Sequence, residues 1–372
     1  MYRRMKSALV NRPKAIARLA GIVGPRQFYR IDRVRRQIVP RSASRKPTLI
    51  VGPGLMTIPT EGWGAIERVI DEYSNELAKS RPVSVLNSRC ILLWLRAFLS
   101  RYEAIHVHYE PTFLWACRWR LISNRSTPII LWSHDAWIGQ PTHWSTSFRT
   151  LWDRIARSLL RSDIFVALSP TIQEQATTRI SARVVLLPNA SDFRPKIRET
   201  PNRGLLVVGK VEPRKQQFEI STLVSRGIHL TCVGPIADHR VQQLISDSPT
   251  SLRAQAFVGS WSRFKLAEEM SDFRALLLPS QAEADALVLY EAQLAGLSVV
   301  CSRSALGAQD ESLPWVHVFE SEHDIDFIGD LCSLATTGNH LYRPTIIEHA
   351  SANFRWPNRI RTLDMATNPC AQ

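Results

Sequence analysis

Short apolar runs, several of them closed by a glycine or proline turn and followed by a stretch of helical period, recur in two series along this chain. The first series holds Thr48–Val51, Val83–Leu86, Ala104–Val107, Pro128–Trp132 and Ile164–Leu168. The second holds Leu205–Val208, Leu230–Val233, Phe257-Val258, Ala275–Leu278 and Leu297–Cys301. Strands that are apolar throughout, rather than alternating, are buried on both faces, as in parallel sheets covered by helices. After the first run, Ile66, Val69, Ile70, Tyr73 and Leu77 fall at helical spacing, so strand, glycine loop and amphipathic helix open a βαβ unit. The expected class is α/β, with two Rossmann-like doubly wound parallel-sheet domains.

The length of 372 residues suits two cores better than one. The first domain is predicted over residues 47–190 and the second over residues 204–345. Between them Ser191–Arg203 is polar, carries Pro195 and Pro201, and reads as a linker. Open parallel sheets bind ligands at the carboxyl ends of their strands, so two such domains face a common cleft lined by post-strand loops.

The formal charge of +14 is localised: residues 1–46 hold 14 Lys or Arg and one acid, Asp32, which leaves the rest of the chain near neutral. Charge confined to an appended arm points away from a nucleic-acid-binding body. Within the arm, Ala15, Ile16, Leu19, Ala20, Ile22 and Val23 are spaced for an amphipathic helix with a basic face, which suits an anionic membrane surface. A solvated tail is the alternative. The longest apolar run, Ile91–Leu99, is interrupted by Arg96 and falls short of the roughly 20 residues of a membrane span. Six scattered cysteines form no C-x-x-C pair, and the N-terminus lacks the apolar stretch of a secretory signal. Zinc is not expected, and the location is expected to be cytoplasmic, with peripheral association at the inner membrane face.

Three clusters carry chemistry. Gly62-Trp63-Gly64 stands where a helix begins, where glycines admit a phosphate close to the backbone and the helix dipole favours an anion. Gly209-Lys210-Val211-Glu212-Pro213-Arg214-Lys215 follows a buried strand and places cations at its end, suited to neutralising a diphosphate. The third runs Pro279-Ser280-Gln281-Ala282-Glu283 through Asp285, Ala286, Leu287 and Glu291-Ala292 to Gly296. One carboxylate lies in a loop, and the other lies about one turn into a helix whose first amides can face phosphate. A carboxylate so placed can accept both hydroxyls of a ribose.

The third cluster resembles the signature of retaining family 4 glycosyltransferases, P-S-x-x-E-G-F-G-x-x-x-x-E-A-x-A-x-G-x-P-V-V. The second resembles that family's G-R-x-x-x-x-K-G loop, the first its N-terminal glycine loop, and Leu187-Pro188-Asn189-Ala190 its P-N-G segment. The resemblance runs from about Pro47 to the C-terminus and implies a GT-B fold. It implies that Glu291 binds the donor ribose, that Glu283 contacts the donor sugar, and that Lys215 and Lys210 hold the diphosphate. Ala286 and Leu287 would serve the donor at the helix start, and Gly62 and Gly64 would approach it from the first domain. His134, in Trp132-Ser133-His134-Asp135, matches a histidine near the transferred sugar. The segment 346–372, from Phe354-Arg355-Trp356 onward, resembles a final helix that crosses back onto the first domain.

Expected partners are thus a nucleoside diphosphate sugar and a hydroxyl acceptor, a glycan or lipid-linked glycan of polysaccharide assembly. The configuration would be retained, and no cofactor or metal is required. Lys210 replaces the family arginine and loses its bidentate fork. Asp285 and Ala286 replace the usual aromatic and glycine, which brings a carboxylate and a methyl toward the expected diphosphate, and Gln216 replaces a glycine. A non-catalytic nucleotide-sugar-binding relative, a membrane-docked binding protein, an epimerase and a hydrolase using Glu283 and Glu291 are the rival readings. Asp324-Ile325-Asp326 has a D-x-D spacing but reads as exposed acids at a helix start. Trp115, Trp119, Trp137 and Trp144 are the notable aromatics of the expected acceptor side.

Overall fold

The computed structural model describes residues 25–31, 46–60, 64–123, 126–236, 242–243, 256–320 and 324–367. Its frame is two sheets. The first has seven strands in the order β1-β3-β2-β4-β5-β6-β7. They are β1 (Arg26–Ile31), β2 (Thr48–Val51), β3 (Val83–Ser88), β4 (Ile105–Val107), β5 (Ile129–Trp132), β6 (Ile164–Ala167) and β7 (Arg183–Leu186). All pair in parallel except β1, which runs antiparallel to β3. The second sheet is parallel, in the order β12-β11-β10-β8-β9. Its strands are β8 (Arg203–Val208), β9 (Leu230–Val233), β10 (Phe273–Leu278), β11 (Ser298–Ser302) and β12 (Val316–Phe319).

Helices join the strands. In the first domain these are α1 (Ala65–Leu77), α2 (Ile91–Phe98), α3 (Glu110–Ser123), α4 (Thr146–Ser158) and α5 (Pro170–Thr177). In the second they are α6 (Arg263–Glu269), α7 (Leu287–Leu294) and α8 (Ile325–Asn353), and α9 (Trp356–Thr367) closes the chain. Their starts are chemically marked. Ser145 accepts the Phe148 N–H at the head of α4, Ser169 does the same for Ile172 ahead of Pro170 in α5, and Asp324 accepts from Phe327 in α8. Asp324 and Asp326 are exposed at that helix start.

Double-sided burial explains the uniform strands. Along β8 and β10, Leu206, Val208, Leu276 and Leu278 join one core, while Leu205, Val207, Ala275 and Leu277 join the core on the opposite face. Beyond the strand ends of this domain the chain is tight: a Cβ on Gly234 would stand 1.8 Å from the Gly209 carbonyl oxygen.

Several expectations need correction. Strand β1 lies inside the 1–46 segment set apart by its charge, because Phe28, Tyr29 and Ile31 have an apolar sheet to pack on. The folded body therefore starts upstream of Pro47. The helix expected around residues 15–23 lies outside the described residues. Phe257-Val258 forms no strand, and Phe257 only bridges Cys232. Strands β7 and β12 have no counterpart among the apolar runs, being half-exposed at sheet edges. The polar stretch 191–203 is docked along the second domain: Phe193 is buried, Lys196 N–H reaches Ala267 O at 2.8 Å, and Arg198 N–H reaches Ser271 Oγ at 2.9 Å. The bound expected at 345/346 falls inside α8, which runs unbroken from Ile325 to Asn353, so the crossing helix is α9 alone, and it inserts Trp356, Ile360 and Leu363 into the first domain's core.

Candidate active site

The carboxyl ends of β5 and β8 and the start of α7 border one cleft of about 400 Å³ between the domains. Of the residues singled out in the sequence, Gly64, His134, Lys210, Lys215, Glu283, Ala286, Leu287 and Glu291 all line it. Gly62 lies outside the described residues. Parallel sheets place their post-strand loops on one edge, which is why positions more than two hundred residues apart converge here.

Gly64 is the N-cap of α1. The room for a Cβ there is already taken by Met56 Sδ at 2.9 Å and Glu67 Oε2 at 3.1 Å. Glu67 in turn accepts the Met56 N–H, which holds the loop ahead of the helix. Opposite, Ala286 is the N-cap of α7, and the free N–H groups of a first helical turn favour an anion there.

Cations crowd this end of the cleft. Arg214 Nη1 lies 3.2 Å from Glu283 Oε1, and Lys215 Nζ pairs with the same oxygen. Arg214 also donates to the Ala282 carbonyl, so Glu283 sits in a basic bracket made by the loop after β8. Lys210 is half exposed and pairs with Glu212 at 3.2 Å.

Glu291 is buried and receives two guanidinium groups, Arg68 Nη1 at 3.3 Å from the first domain and Arg263 Nη1 at 2.5 Å from the second. Arg263 extends further, with Nη2 at 2.9 Å from Glu72 Oε1 on α1. Burial pushes the Glu72 carboxyl up to about 7, against the pull of Arg263 and of the Asp192 N–H. Neither Arg263 nor Glu72 carried a sequence signal, since a lone arginine at a helix start and a glutamate in an amphipathic helix are ordinary. Only the juxtaposition of domains distinguishes them.

His134 stands across the cleft after β5. Burial lowers its pKa to about 3, so the ring is neutral near pH 7 and can donate or accept one hydrogen bond at each nitrogen. Its Nε2 is 3.1 Å from His108 Nδ1, and its backbone N–H is 3.1 Å from Glu110 Oε1. Glu110 also accepts from Ser133 Oγ and the Asp135 N–H, at 3.2 and 3.3 Å. One buried carboxylate thus shapes the whole histidine loop.

Asp285 does not face the expected diphosphate with a free carboxylate. Its Oδ2 accepts the Asn189 N–H at 2.7 Å, and both oxygens lie 2.8 Å from Tyr290 Oη. Burial pushes its carboxyl up to about 6. The residue is a strut joining the segment after β7 to the start of α7. No cluster of three or more His, Cys, Asp or Glu side chains suited to a metal occurs among the described residues. The five described cysteines are buried and unpaired to one another.

Residues 50–194 match the family model described as Glycosyltransferase Family 4. Among solved structures, the chain superposes on HepE from Anabaena in complex with UDP and glucose. The TM-score is 0.68 at 14% identity, covering 87% of this chain and 100% of that one. The fold is GT-B. Sucrose-phosphate synthase from Thermosynechococcus elongatus has a TM-score of 0.65 at 15% identity, covering 87% of this chain and 98% of its own. The lipopolysaccharide outer core galactosyltransferase WaaB gives 0.58 at 18% identity, covering 86% and 98%. No curated protein matches the chain by sequence. In a GT-B frame the cleft just described lies between the two Rossmann-like domains, with the cationic loop and α7 on the second domain and His134 on the first. No helix among the described residues is long and apolar enough to cross a membrane.

Proposed function

We propose that this chain transfers a sugar from a nucleoside diphosphate sugar to a hydroxyl of a glycan or lipid-linked glycan acceptor, with retention of anomeric configuration. The observation that carries this reading is the convergence on one cleft of a half-exposed lysine, a Lys-Arg pair, a helix start and a buried carboxylate one turn into that helix. The Family 4 match over the first domain supports it.

In this reading the second domain holds the donor. Glu291 accepts the ribose hydroxyls, and Ala286 and Leu287 present the helix start to the diphosphate. Lys210 and Lys215, with Arg214, neutralise the charge that gathers on the diphosphate as the bond to the sugar breaks. That neutralisation removes the need for a metal. Glu283 contacts the sugar, with its oxygen held by Arg214 and Lys215. Gly64 closes on the donor from the first domain, and neutral His134 offers the sugar a hydrogen bond. Closure of the two domains excludes water and favours transfer over hydrolysis.

HepE, a structural relative, binds UDP, which puts UDP first among the candidate leaving groups. The test is a thermal-shift panel with UDP, GDP, ADP, CDP and dTDP on the full chain and on Glu291→Ala. Ligand at 100 times its dissociation constant adds about 2.7 kcal/mol of stability. Selective stabilisation by one diphosphate, lost in the variant, is the expected result. A folded protein indifferent to all five contradicts the donor reading.

A further inference from the structure

We propose that the outer face of α2 and α3 is a docking surface for an anionic lipid bilayer. Helix α2 is apolar on both sides. Trp94, Ala97 and Phe98 face the core, while Ile91, Leu92, Leu95 and Leu99 face outward within an arc of about 100° at 3.6 residues per turn. These are not marginal exposures: Leu92 is 69% and Leu99 76% accessible. Surface helices of globular proteins place polar residues on that face.

Helix α3 continues the patch. Trp94 meets Trp115 at 6.1 Å between ring centroids, and Phe98 stacks on Trp119 at 4.9 Å. Trp115 remains 40% exposed beside α2, whereas Leu121, 81% exposed, lies on the side of α3 away from Trp119 and stands outside the patch. A half-exposed indole beside protruding leucines suits the boundary between headgroups and acyl chains. A pocket of about 240 Å³ opens between the two helices, walled by Trp94, Tyr109 and Trp115 with Arg89 at its polar end.

The charge around the patch selects the occupant. Arg89 lines the pocket, Arg96, Arg101 and Arg118 are exposed on or next to the two helices, and residues 89–102 contain no acid, the exposed Glu103 following them. Arg96 sits over the Phe28 ring of β1 at 5.9 Å, so α2 covers the strand through which the N-terminal segment joins the fold. That segment brings Arg3, Arg4, Lys6, Arg12, Lys14 and Arg18 and no acidic residue. A second copy of the same face would set arginines against arginines, whereas anionic headgroups complement them and the leucines enter the bilayer. The N-terminal end of α2 follows β3 directly and borders the strand-end edge that carries the cleft, and Arg89 Nε donates to Pro53 O at 3.2 Å on that edge. A bilayer on this face therefore adjoins the cleft.

The test is vesicle flotation of the full chain with phosphatidylcholine alone and with phosphatidylcholine and phosphatidylglycerol, beside the triple variant Leu92→Glu/Leu95→Glu/Leu99→Glu. The expected result is flotation with the anionic vesicles only, a residue of binding that survives about 0.5 M salt, and a loss of about tenfold or more in the triple variant. Arg96→Glu/Arg101→Glu should weaken binding at low salt. The nucleotide thermal shift of each variant should match that of the parent, which separates this surface from the donor cleft. Wild-type binding by the triple variant overturns the proposal, because the basic arm alone would then account for attachment. Indifference of the parent chain to anionic vesicles overturns it as well. A dimer in light scattering that the triple variant dissolves would assign the face to a second copy instead.

Discussion

Arg263 Nη2 lies 2.9 Å from Glu72 Oε1, an ion pair that spans the two domains. The same guanidinium holds Glu291 through Nη1 and lies over the Phe193 ring at 4.9 Å. Glu72 also accepts from Trp356 Nε1 at 3.1 Å and from the Asp192 N–H at 2.8 Å. One arginine therefore joins α1, the inter-domain segment and the carboxylate assigned to the donor ribose.

Removing Arg263 leaves Glu72 and Glu291 buried with fewer partners. Arg263→Ala should lower stability by about 3 kcal/mol at pH 8, the scale of breaking one partner from a largely buried pair. Because burial holds the Glu72 carboxyl near 7, the pair is complete only above that pH. The penalty should shrink at pH 6, and urea denaturation at both values measures it. An equal penalty at the two pH values would contradict the assignment to Glu72.

Much of the candidate site was legible in the sequence, because its parts follow strands and carry distinctive spacing. Lys210, Lys215, Glu283 and Glu291 sit in two contiguous runs whose strands are plainly apolar. What was not legible depends on partners distant in the chain. Asp285 reads as a stray charge until Asn189 and Tyr290 are seen on it, and Glu110 is an ordinary helix-start acid until the Ser133–Asp135 loop closes over it. Strands β1, β7 and β12 were missed for a related reason. In β1 and β12 the half-covered edge position goes with polar residues that interrupt the run, Arg26, Gln27 and Arg30 in the one and His317 in the other, whereas β7 does hold the apolar Val184-Val185-Leu186 and was masked by its merging with the Leu187-Pro188-Asn189 turn.

Lys215→Met should reduce kcat with a nucleoside diphosphate sugar by about 10²- to 10³-fold, since stabilisation of the leaving diphosphate is a transition-state effect. Binding of the uncharged nucleoside should be little changed, because the proposed ribose contact is Glu291 and not Lys215. Comparing calorimetric affinities for nucleoside and diphosphate with turnover checks both halves. A variant with unchanged kcat would remove Lys215 from the chemistry.

His106 is buried in the first domain's core with its Nδ1 2.9 Å from Tyr73 Oη, and burial lowers its pKa to about 3. The sign follows from linkage: the unfolded ring takes up a proton below about 6.5 and the folded ring does not. Stability is thus fully present above pH 6.5 and is lost as pH falls toward 3. Between pH 6.5 and 5 this one group costs about 2 kcal/mol. The urea midpoint of His106→Gln should vary less over that interval than that of the parent. A parallel fall in both would assign the acid sensitivity to other buried groups, with His108 and His134, whose pKa values burial also lowers, as the candidates.

Trp356 is fully buried against Tyr73 and Trp132, at centroid distances of 5.5 and 6.5 Å. Trp356→Ala should cost about 3–5 kcal/mol, the usual range for emptying a large aromatic site. Thermal unfolding should show the loss in the first domain, whose core holds the ring.

The chain passes between domains twice, near residues 190–193 and 354–356, and the two passages are hydrogen-bonded to each other. Ser191 N–H reaches Phe354 O at 3.0 Å, and Arg355 Nη1 reaches the carbonyls of Ser191 and Phe193 at 3.0 and 2.9 Å. Two strands of chain laced side by side resist being pulled apart or slid past each other, yet they tolerate bending about a line through both. A rigid-body opening of the cleft that kept these bonds would have to swing about that seam. In such a swing the mouth farthest from the seam would travel most, while Glu72 and Arg263, seated beside the seam, would see only a small change in a short ionic contact.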